Sequence, residues 1–143
     1  MEEAARPARA DDAPRLAELA DAARREVAAH RGGPEYLATE AGAPCPEGGR
    51  RWVGTIDGVV VGFAAAHVEA VPGASPRGVL DAVYVEPAAR GVAVGERLLQ
   101  AACGWLARQG CQRIDARALP GDRTTKSFLE QAGFRARLLV MSR

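Results

Sequence analysis

The dipeptide Asp57-Gly58 constrains the fold more strongly than any other feature of the sequence. It separates two segments rich in small and β-branched apolar residues, 51–56 and 59–69. A two-residue type I′ turn needs positive φ angles at both of its positions, and Asp-Gly is one of the few dipeptides that adopt them readily. The sequence therefore predicts a β-hairpin whose two strands are antiparallel neighbours.

Other periodic segments place this hairpin in a larger sheet. A cap at Asp11 or Asp12 precedes Leu16, Leu19 and Val27 at helical spacing, which predicts an amphipathic first helix. Further helices are predicted near residues 35–40, over 92–109 and over 123–132, and further strands over 4–10, 79–86, 111–118 and 134–141. Residues 31–50 and 71–76 are rich in Gly and Pro and are predicted to be mostly loop. This order predicts an antiparallel meander followed by crossover units, a mixed α/β fold.

Length and charge limit the class of protein. The 143 residues are enough for one domain, 1–143, with one core. With 19 basic against 18 acidic residues, the chain lacks the basic excess of a nucleic-acid-binding protein. The three cysteines form no C-x-x-C pair, and a buried thiol is the expectation for Cys103. No signal peptide or apolar run of ~20 residues is present, so we expect a cytoplasmic protein without a membrane or metal site.

Residues 83–95 form the segment with the clearest binding chemistry. A strand is followed by a turn of small residues and then by a helix. The first turn of a helix has unpaired N–H groups and a partial positive charge, which suits phosphate. Arg90 adds a permanent positive charge beside this turn. The segment predicts an anion site, although many similar turns bind nothing.

This segment resembles the cofactor-binding motif of the GNAT superfamily of N-acetyltransferases. The family motif reads Arg/Gln-x-x-Gly-x-Gly/Ala, and the chain has Arg90, then Ala93 in place of the first glycine, then Gly95. Residues 122–134 resemble the second family signature, Asn-x-x-Ala-x-x-Leu-Tyr-x-x-x-Gly-Phe, at the usual separation. With the hairpin and the first helix, the resemblance covers nearly the whole chain.

The resemblance implies both a fold and a cofactor. The fold is a mixed, mostly antiparallel central sheet of about six strands, flanked by three to four helices and splayed between the fourth and fifth strands. Acetyl-CoA lies in that gap in the family, with its pantetheine arm on the fourth strand and its pyrophosphate on the turn. The cofactor-binding residues implied here are Val83, Tyr84, Val85, Arg90, Gly91, Val92, Ala93, Val94, Gly95, Glu96, Asp122 and Lys126.

The resemblance also implies transfer of an acetyl group from a thioester to a primary amine, assisted by a carboxylate base. Asp81 aligns with an acidic position of the family, and Glu69 and His67 are rival bases on one side of the third strand. Leu129 occupies the position where the family commonly has a tyrosine acid. Ser127 and Tyr84 are candidates to replace this acid, and only their neighbourhood to the site suggests them.

Two further questions stay open at this point. A non-catalytic acyl-CoA-binding or regulatory module is the alternative function, because Leu129 and Ala93 depart from the family pattern. A nucleic-acid-binding role is disfavoured, and the loops at residues 31–50 and 71–76 contain no motif that indicates the amine.

In the family, Gly-Phe is commonly followed by two strands, but residues 134–143 provide only one. The resulting open edge predicts a homodimer; the rival is a monomer protected by Arg135, Arg137 and Arg143.

Overall fold

A computed structural model describes residues 1–39 and 48–143 of the chain. The strands are β1 (Glu3–Pro7), β2 (Arg50–Ile56), β3 (Val59–Glu69), β4 (Arg77–Val85) and β5 (Arg113–Ala116). The helices are α1 (Ala13–Ala28), α2 (Gly33–Thr39), α3 (Val94–Arg108) and α4 (Arg123–Gln131). Short 3₁₀ turns, Ala10–Asp12 and Pro87–Ala89, precede α1 and follow β4.

The five strands form one sheet in the order in which they occur along the chain. Neighbouring strands from β1 to β4 are antiparallel, and only β4 and β5 are parallel. The predicted hairpin is confirmed: Ile56 pairs with Val59, and the two turn residues have φ angles of 49° at Asp57 and 83° at Gly58. The mixed α/β class and the mostly antiparallel sheet are therefore as predicted.

Helices cover both faces of the sheet. Leu98, Ala102 and Leu106 of α3 are fully buried in the larger core, which includes Leu80 of β4. On the opposite face, Leu16 and Leu19 of α1 pack with Phe63 in a smaller core. In the large core α3 lies close against β2. A Cβ added at Gly54 of β2 would lie only 2.6 Å from the side chain of Val94 on α3, so this contact requires glycine.

The first helix begins differently from the prediction. Asp12 precedes α1, but its side chain does not cap the helix. Its carboxylate instead accepts hydrogen bonds from both terminal nitrogens of Arg6 and from the backbone N–H of Arg9. This connects the start of α1 to β1. The reason is geometric, because the 3₁₀ turn points the carboxylate back toward the strand.

The prediction of a last strand over residues 134–141 is wrong, and within residues 1–39 and 48–143 the sheet has five strands instead of about six. Gly133, with φ of 93°, ends the last turn after α4, and Phe134 packs against the core. Arg137 then contacts β5 through its side chain, to Asp115 at 2.7 Å, without entering the ladder. The apolar residues that follow are exposed. In the described part of the chain no further strand pairs with β5, so no strand covers these apolar residues.

Smaller differences concern single positions. Cys103 is half-buried and Cys111 is buried, and burial raises the pKa of both thiols. The predicted helix near residues 35–40 is α2, which ends at Thr39; Glu40 and Cys45 lie outside the described residues. Neither 1–39 nor 48–143 contains a helix long and apolar enough to cross a membrane.

Candidate active site

The sheet opens into a gap between β4 and β5. The two strands pair only from Arg77 to Leu80 on β4, so the rest of β4 has no partner strand on that side within the described ranges. Glu86 donates its N–H to Val61 of β3, and backbone direction alternates along a strand. The N–H and C=O groups of Val83 and Val85 therefore point into the gap. The prediction of a splay at this position is confirmed.

The N-terminus of α3 lies at one end of this gap. Gly91 has φ of 89°, a conformation that side chains other than glycine rarely adopt, and it turns the chain toward the helix. The first hydrogen bond of the helix runs from Arg97 to Ala93. The amides of residues 94–96 precede that bond and are available to an anion.

The neighbouring helix α4 packs directly on this turn. An added Cβ at Gly95 would lie 3.1 Å from the ring of Phe128, so glycine permits the contact between the two helices. Asp122 caps α4 as predicted, because its carboxylate accepts the N–H of Thr125 at 3.1 Å and its hydroxyl at 2.6 Å. The capping role occupies the carboxylate that was predicted to bind cofactor.

Between these elements lies a cavity of about 380 Å³. Its walls come from α1, α2, β4, the turn before α3, the segment after β5 and the start of α4. Nine of the residues predicted for the site line it: Asp81, Val83, Tyr84, Val85, Arg90, Gly91, Val92, Gly95 and Asp122. Ala93, Val94, Glu96, Lys126 and Glu69 do not line it, and Lys126 is exposed.

Arg90 crosses the mouth of the cavity. Its Nε donates to the carbonyl of Val85 at 2.8 Å, and a terminal nitrogen donates to Glu26 of α1 at 2.8 Å. The guanidinium also lies 5.5 Å from the ring centre of Tyr84. The predicted phosphate contact of Arg90 therefore requires this side chain to exchange the Glu26 carboxylate for phosphate.

A β-bulge places Asp81 in the cavity wall. Leu80 pairs with Ala66 and Ala82 with Ala65, so Asp81 has no partner in the register. Bulges of this kind change the direction of a side chain and are frequent next to active sites. Burial raises the pKa of Asp81, against the opposing effect of a hydrogen bond with His67. A carboxylate with a raised pKa is a better proton acceptor.

His67 contacts both candidate carboxylates. Its Nδ1 lies 2.7 Å from Asp81, and its Nε2 lies 3.0 Å from Glu69. This confirms that His67 and Glu69 share one side of β3. Glu69 also forms an ion pair with Arg77. Hydrogen bonds from Arg77, and then from His67, lower the pKa of Glu69, so the geometry favours Asp81 as the base.

The surroundings of Leu129, at the position where the family commonly has a tyrosine acid, are apolar in the structure. Leu129 is buried, lines the cavity and belongs to the large core. Of the two substitutes, Tyr84 lines the cavity and Ser127 is exposed outside it. The described residues thus offer Tyr84 as a hydroxyl on the fourth strand.

Several lining residues were not predicted for the site. Tyr36 and Leu37 of α2, Phe63 of β3, Arg117 after β5 and Phe128 of α4 all line the cavity. No local pattern distinguishes them from ordinary core or surface residues. Only the packing of distant elements brings them together.

The sequence profile of the acetyltransferase (GNAT) family matches residues 13–134. The chain belongs to the GNAT acetyltransferase family. The matched stretch contains the hairpin, the bulge at Asp81, the turn before α3 and the cap of α4. No curated protein sequence matches the chain.

Solved structures share the GNAT fold over nearly the whole chain. An acetyltransferase of Trypanosoma brucei aligns with a TM-score of 0.73 at 22% identity over 99% of both chains. The aminoglycoside N-acetyltransferase AAC(6')-Iy in complex with CoA aligns with a TM-score of 0.72 at 21% identity over 97% of both chains. A transcriptional regulator from Bacillus halodurans C-125 aligns with a TM-score of 0.73 at 18% identity over 99% of both chains. Such identities establish the fold and leave the substrate open.

The residues around the gap fit an acyl-CoA. The backbone groups of Val83 and the N–H of Val85 are directed at the space where an amide-containing arm would lie, as an added strand lies on a sheet edge, whereas the carbonyl of Val85 accepts a hydrogen bond from Arg90. The amides at the start of α3 suit a pyrophosphate. The turn before them has small side chains, which allow close approach of an anion.

Proposed function

We propose that this GNAT protein is an acetyl-CoA-dependent N-acetyltransferase acting on a primary amine, with Asp81 as the general base. The observation that carries the proposal is the position of Asp81. Its carboxylate is at the bulge where β4 leaves β5, inside the cavity that also contains the open strand edge. The proposed base thus lies on the same strand as Val83 and Val85, the residues proposed to hold the pantetheine arm, and no more than four residues from them.

The chemistry requires a base more than an acid. An alkylammonium with a pKa of ~10.4 must lose a proton before its nitrogen can attack the thioester carbonyl. Asp81 accepts that proton, directly or through a water. The thiolate that leaves resembles a cysteine thiolate of pKa ~8.5 and departs without full protonation. Tyr84 is the proposed source of a proton, in place of the usual tyrosine at the position of Leu129.

The apolar residues that line the cavity favour an amine substrate with an apolar body. Ala20, Ala23 and Val27 of α1 and Leu37 of α2 line the same cavity as Asp81, together with Phe63. Asp81 contributes a single carboxylate, and Glu26 is already paired with Arg90. A screen should therefore begin with aliphatic and arylalkyl monoamines, with aminoglycosides and polyamines as the contrasting group.

Thiol release from acetyl-CoA in the presence of this amine panel tests the proposal. Asp81→Asn should lower turnover of an accepted amine about 100-fold at neutral pH. The loss should be smaller at high pH, where more of the amine is already deprotonated. Asp21→Asn, at an exposed position of α1 outside the cavity, is a matched control that should retain activity. Equal losses at every pH for Asp81→Asn would contradict the role of base.

The alternative is a non-catalytic acyl-CoA-binding or regulatory module of the same fold. The apolar Leu129 in the cavity supports it, since no hydroxyl stands at that position. Both functions predict that CoA raises the melting temperature. Only the enzyme releases thiol in proportion to added amine, so stabilisation without release across the panel would favour the module.

We also propose a homodimer formed through the C-terminal segment, Leu138–Met141. These four consecutive apolar residues are 64–81% exposed. They follow Arg137, which contacts Asp115 at the outer edge of the sheet. An open edge and an exposed apolar segment side by side favour pairing with a second copy. Light scattering at micromolar concentration should give twice the 15.0 kDa chain mass, and a monomer mass would exclude the dimer.

A further inference from the structure

The imidazole of His67 bridges the proposed base to a second carboxylate. Its two nitrogens lie 2.7 Å from Asp81 Oδ2 and 3.0 Å from Glu69 Oε2, and its side chain is 15% exposed. Asp81 is 12% exposed and Glu69 is 37% exposed, so the three side chains run from the cavity wall toward solvent. Glu69 is the last residue of β3, and Asp81 lies in the middle of β4.

Counting protons at this bridge determines the state of the imidazole. A neutral imidazole has one N–H, whereas an imidazolium has two. With both carboxylates ionised, a neutral ring would turn a nitrogen lone pair toward one anionic oxygen. An imidazolium donates to both. Burial alone would lower the pKa of His67, but the hydrogen bonds to Asp81 and Glu69 outweigh it and raise that pKa.

We propose that His67 is a positioning residue for the acetyl transfer: as an imidazolium held between Asp81 and Glu69, it keeps Asp81 ionised and fixes its carboxylate at the cavity wall. This inference rests on the proposed function of Asp81. It assigns to Glu69 a supporting position behind His67, in place of the rival role of base. No proton leaves His67 in the reaction; the proton from the amine is accepted by Asp81.

The surrounding charges are arranged to keep Glu69 in position. Arg77 of β4 pairs with Glu69 on one side and lies 3.4 Å from Asp115 of β5 on the other. Arg137 contacts the same Asp115. On the cavity side, Arg117 adds a further positive charge that favours the ionised form of Asp81. Glu69 is thus anchored from both β4 and β5, which gives the imidazole a fixed acceptor.

Titration of the imidazoles by NMR tests the bridge without any substrate. The chain has two histidines, and His30→Gln assigns the second ring. We expect both nitrogens of His67 to be protonated at a pH of about 6, and its pKa to exceed the ordinary 6.5. Asp81→Asn and Glu69→Gln should each lower that pKa by about 1 pH unit, because each removes an anion in contact with the ring. A His67 pKa that neither substitution changes would overturn the bridge.

The pH dependence of kcat/KM tests the positioning role. Burial already raises the pKa of Asp81, and loss of the imidazolium removes the effect that opposes it. The acidic limb of the profile should therefore move to higher pH, by about 1 pH unit in His67→Leu and by less in His67→Gln, which retains an amide donor. If His67 only joined β3 to β4, its replacement would lower kcat equally at every pH and leave the acidic limb of the profile unchanged.

The two tests separate this inference from the proposed function. If Asp81→Asn lowers turnover about 100-fold but the limb does not move in His67→Leu, Asp81 remains the base and the role of His67 is refuted. Glu69→Gln gives a second variant at a more exposed position, should His67→Leu fold poorly. Its expected result is a lowered pKa of His67 by NMR, and an unchanged His67 pKa counts against the bridge. The limb is not the readout for this variant, because loss of the Glu69 charge also removes a repulsion that raises the pKa of Asp81.

Discussion

Replacement of Asp12 by Asn should destabilise the protein by an amount that the structure allows to be calculated. Asp12 is 7% exposed and accepts three hydrogen bonds, two from Arg6 at 2.8 and 3.0 Å and one from the N–H of Arg9 at 2.7 Å. The hydrogen bonds from Arg6, then that from Arg9, lower the pKa of Asp12 from 3.8 to about 2. A tenfold change in an acid dissociation constant corresponds to ~1.4 kcal/mol, so the ionised carboxylate contributes about 2 kcal/mol to folding.

The sign of the pH dependence follows from the lowered pKa. The contribution of Asp12 is complete above its unfolded pKa of 3.8 and is lost as the pH falls through its folded value of about 2. At pH 7, Asp12→Asn should therefore lower the free energy of unfolding by about 2 kcal/mol and the melting temperature by roughly 7 °C. As the pH approaches about 2, the wild type and the variant should converge.

Urea unfolding at several pH values, followed by circular dichroism, measures both effects. Asp11→Asn is the matched control, because Asp11 is the exposed neighbour of Asp12 and should change stability little. The reasoning would be refuted by an Asp12→Asn variant as stable as the wild type at pH 7. It would also be refuted by a difference between the two proteins that stays constant down to low pH.

Three further predictions concern the cavity and the C-terminus. Because Tyr84 is the proposed source of a proton, Tyr84→Phe should lower turnover about 100-fold in a thiol-release assay, and Leu129→Tyr, which restores the hydroxyl of the family motif in the cavity wall, should recover part of that loss. Gly95→Ala introduces a Cβ 3.1 Å from Phe128 and should weaken the stabilisation by CoA, whereas Gly104→Ala in the same helix should not; equal thermal shifts would argue against a site at this turn. Leu139→Glu places a charge in the exposed C-terminal segment and should give a monomer by light scattering, whereas a dimer that persists would argue against pairing through this segment.

The parts of the fold that depend on neighbouring residues were predictable from the sequence. The hairpin followed from the φ requirements of a two-residue turn, and both requirements are met at Asp57 and Gly58. The cap of α4 followed from Asp122 at the start of a helical pattern, and its carboxylate accepts the N–H of Thr125. The turn before α3 was placed correctly because strand, small residues and helix follow one another without a gap.

The last strand could not be excluded from the sequence, because a strand is stabilised by its neighbours. Residues 134–138 alternate between apolar and charged side chains and residues 138–141 are all apolar, a pattern that resembles a strand. Whether they pair depends on the edge available to them, and β5 offers only four residues from Arg113 to Ala116. The side chain of Arg137 reaches that edge, while the apolar residues after it extend into solvent. In the homodimer proposed above, a second copy of the chain would give this segment a strand to pair with.

The candidate site shows the same division between local and distant causes. Asp81 was named from its alignment with an acidic position of the family, but nothing local indicates the bulge that turns it into the cavity. The bulge is a one-residue offset in the pairing of β3 with β4, and it lies between Ala65 and Ala66. The same offset brings His67, fourteen residues earlier in the chain, within 2.7 Å of Asp81. Beyond the bulge β4 also leaves β5, so one irregularity in the sheet orients the base, places the imidazole beside it and opens the strand edge to the cofactor. A regular ladder through this region would have paired Asp81 like its neighbours and closed the gap.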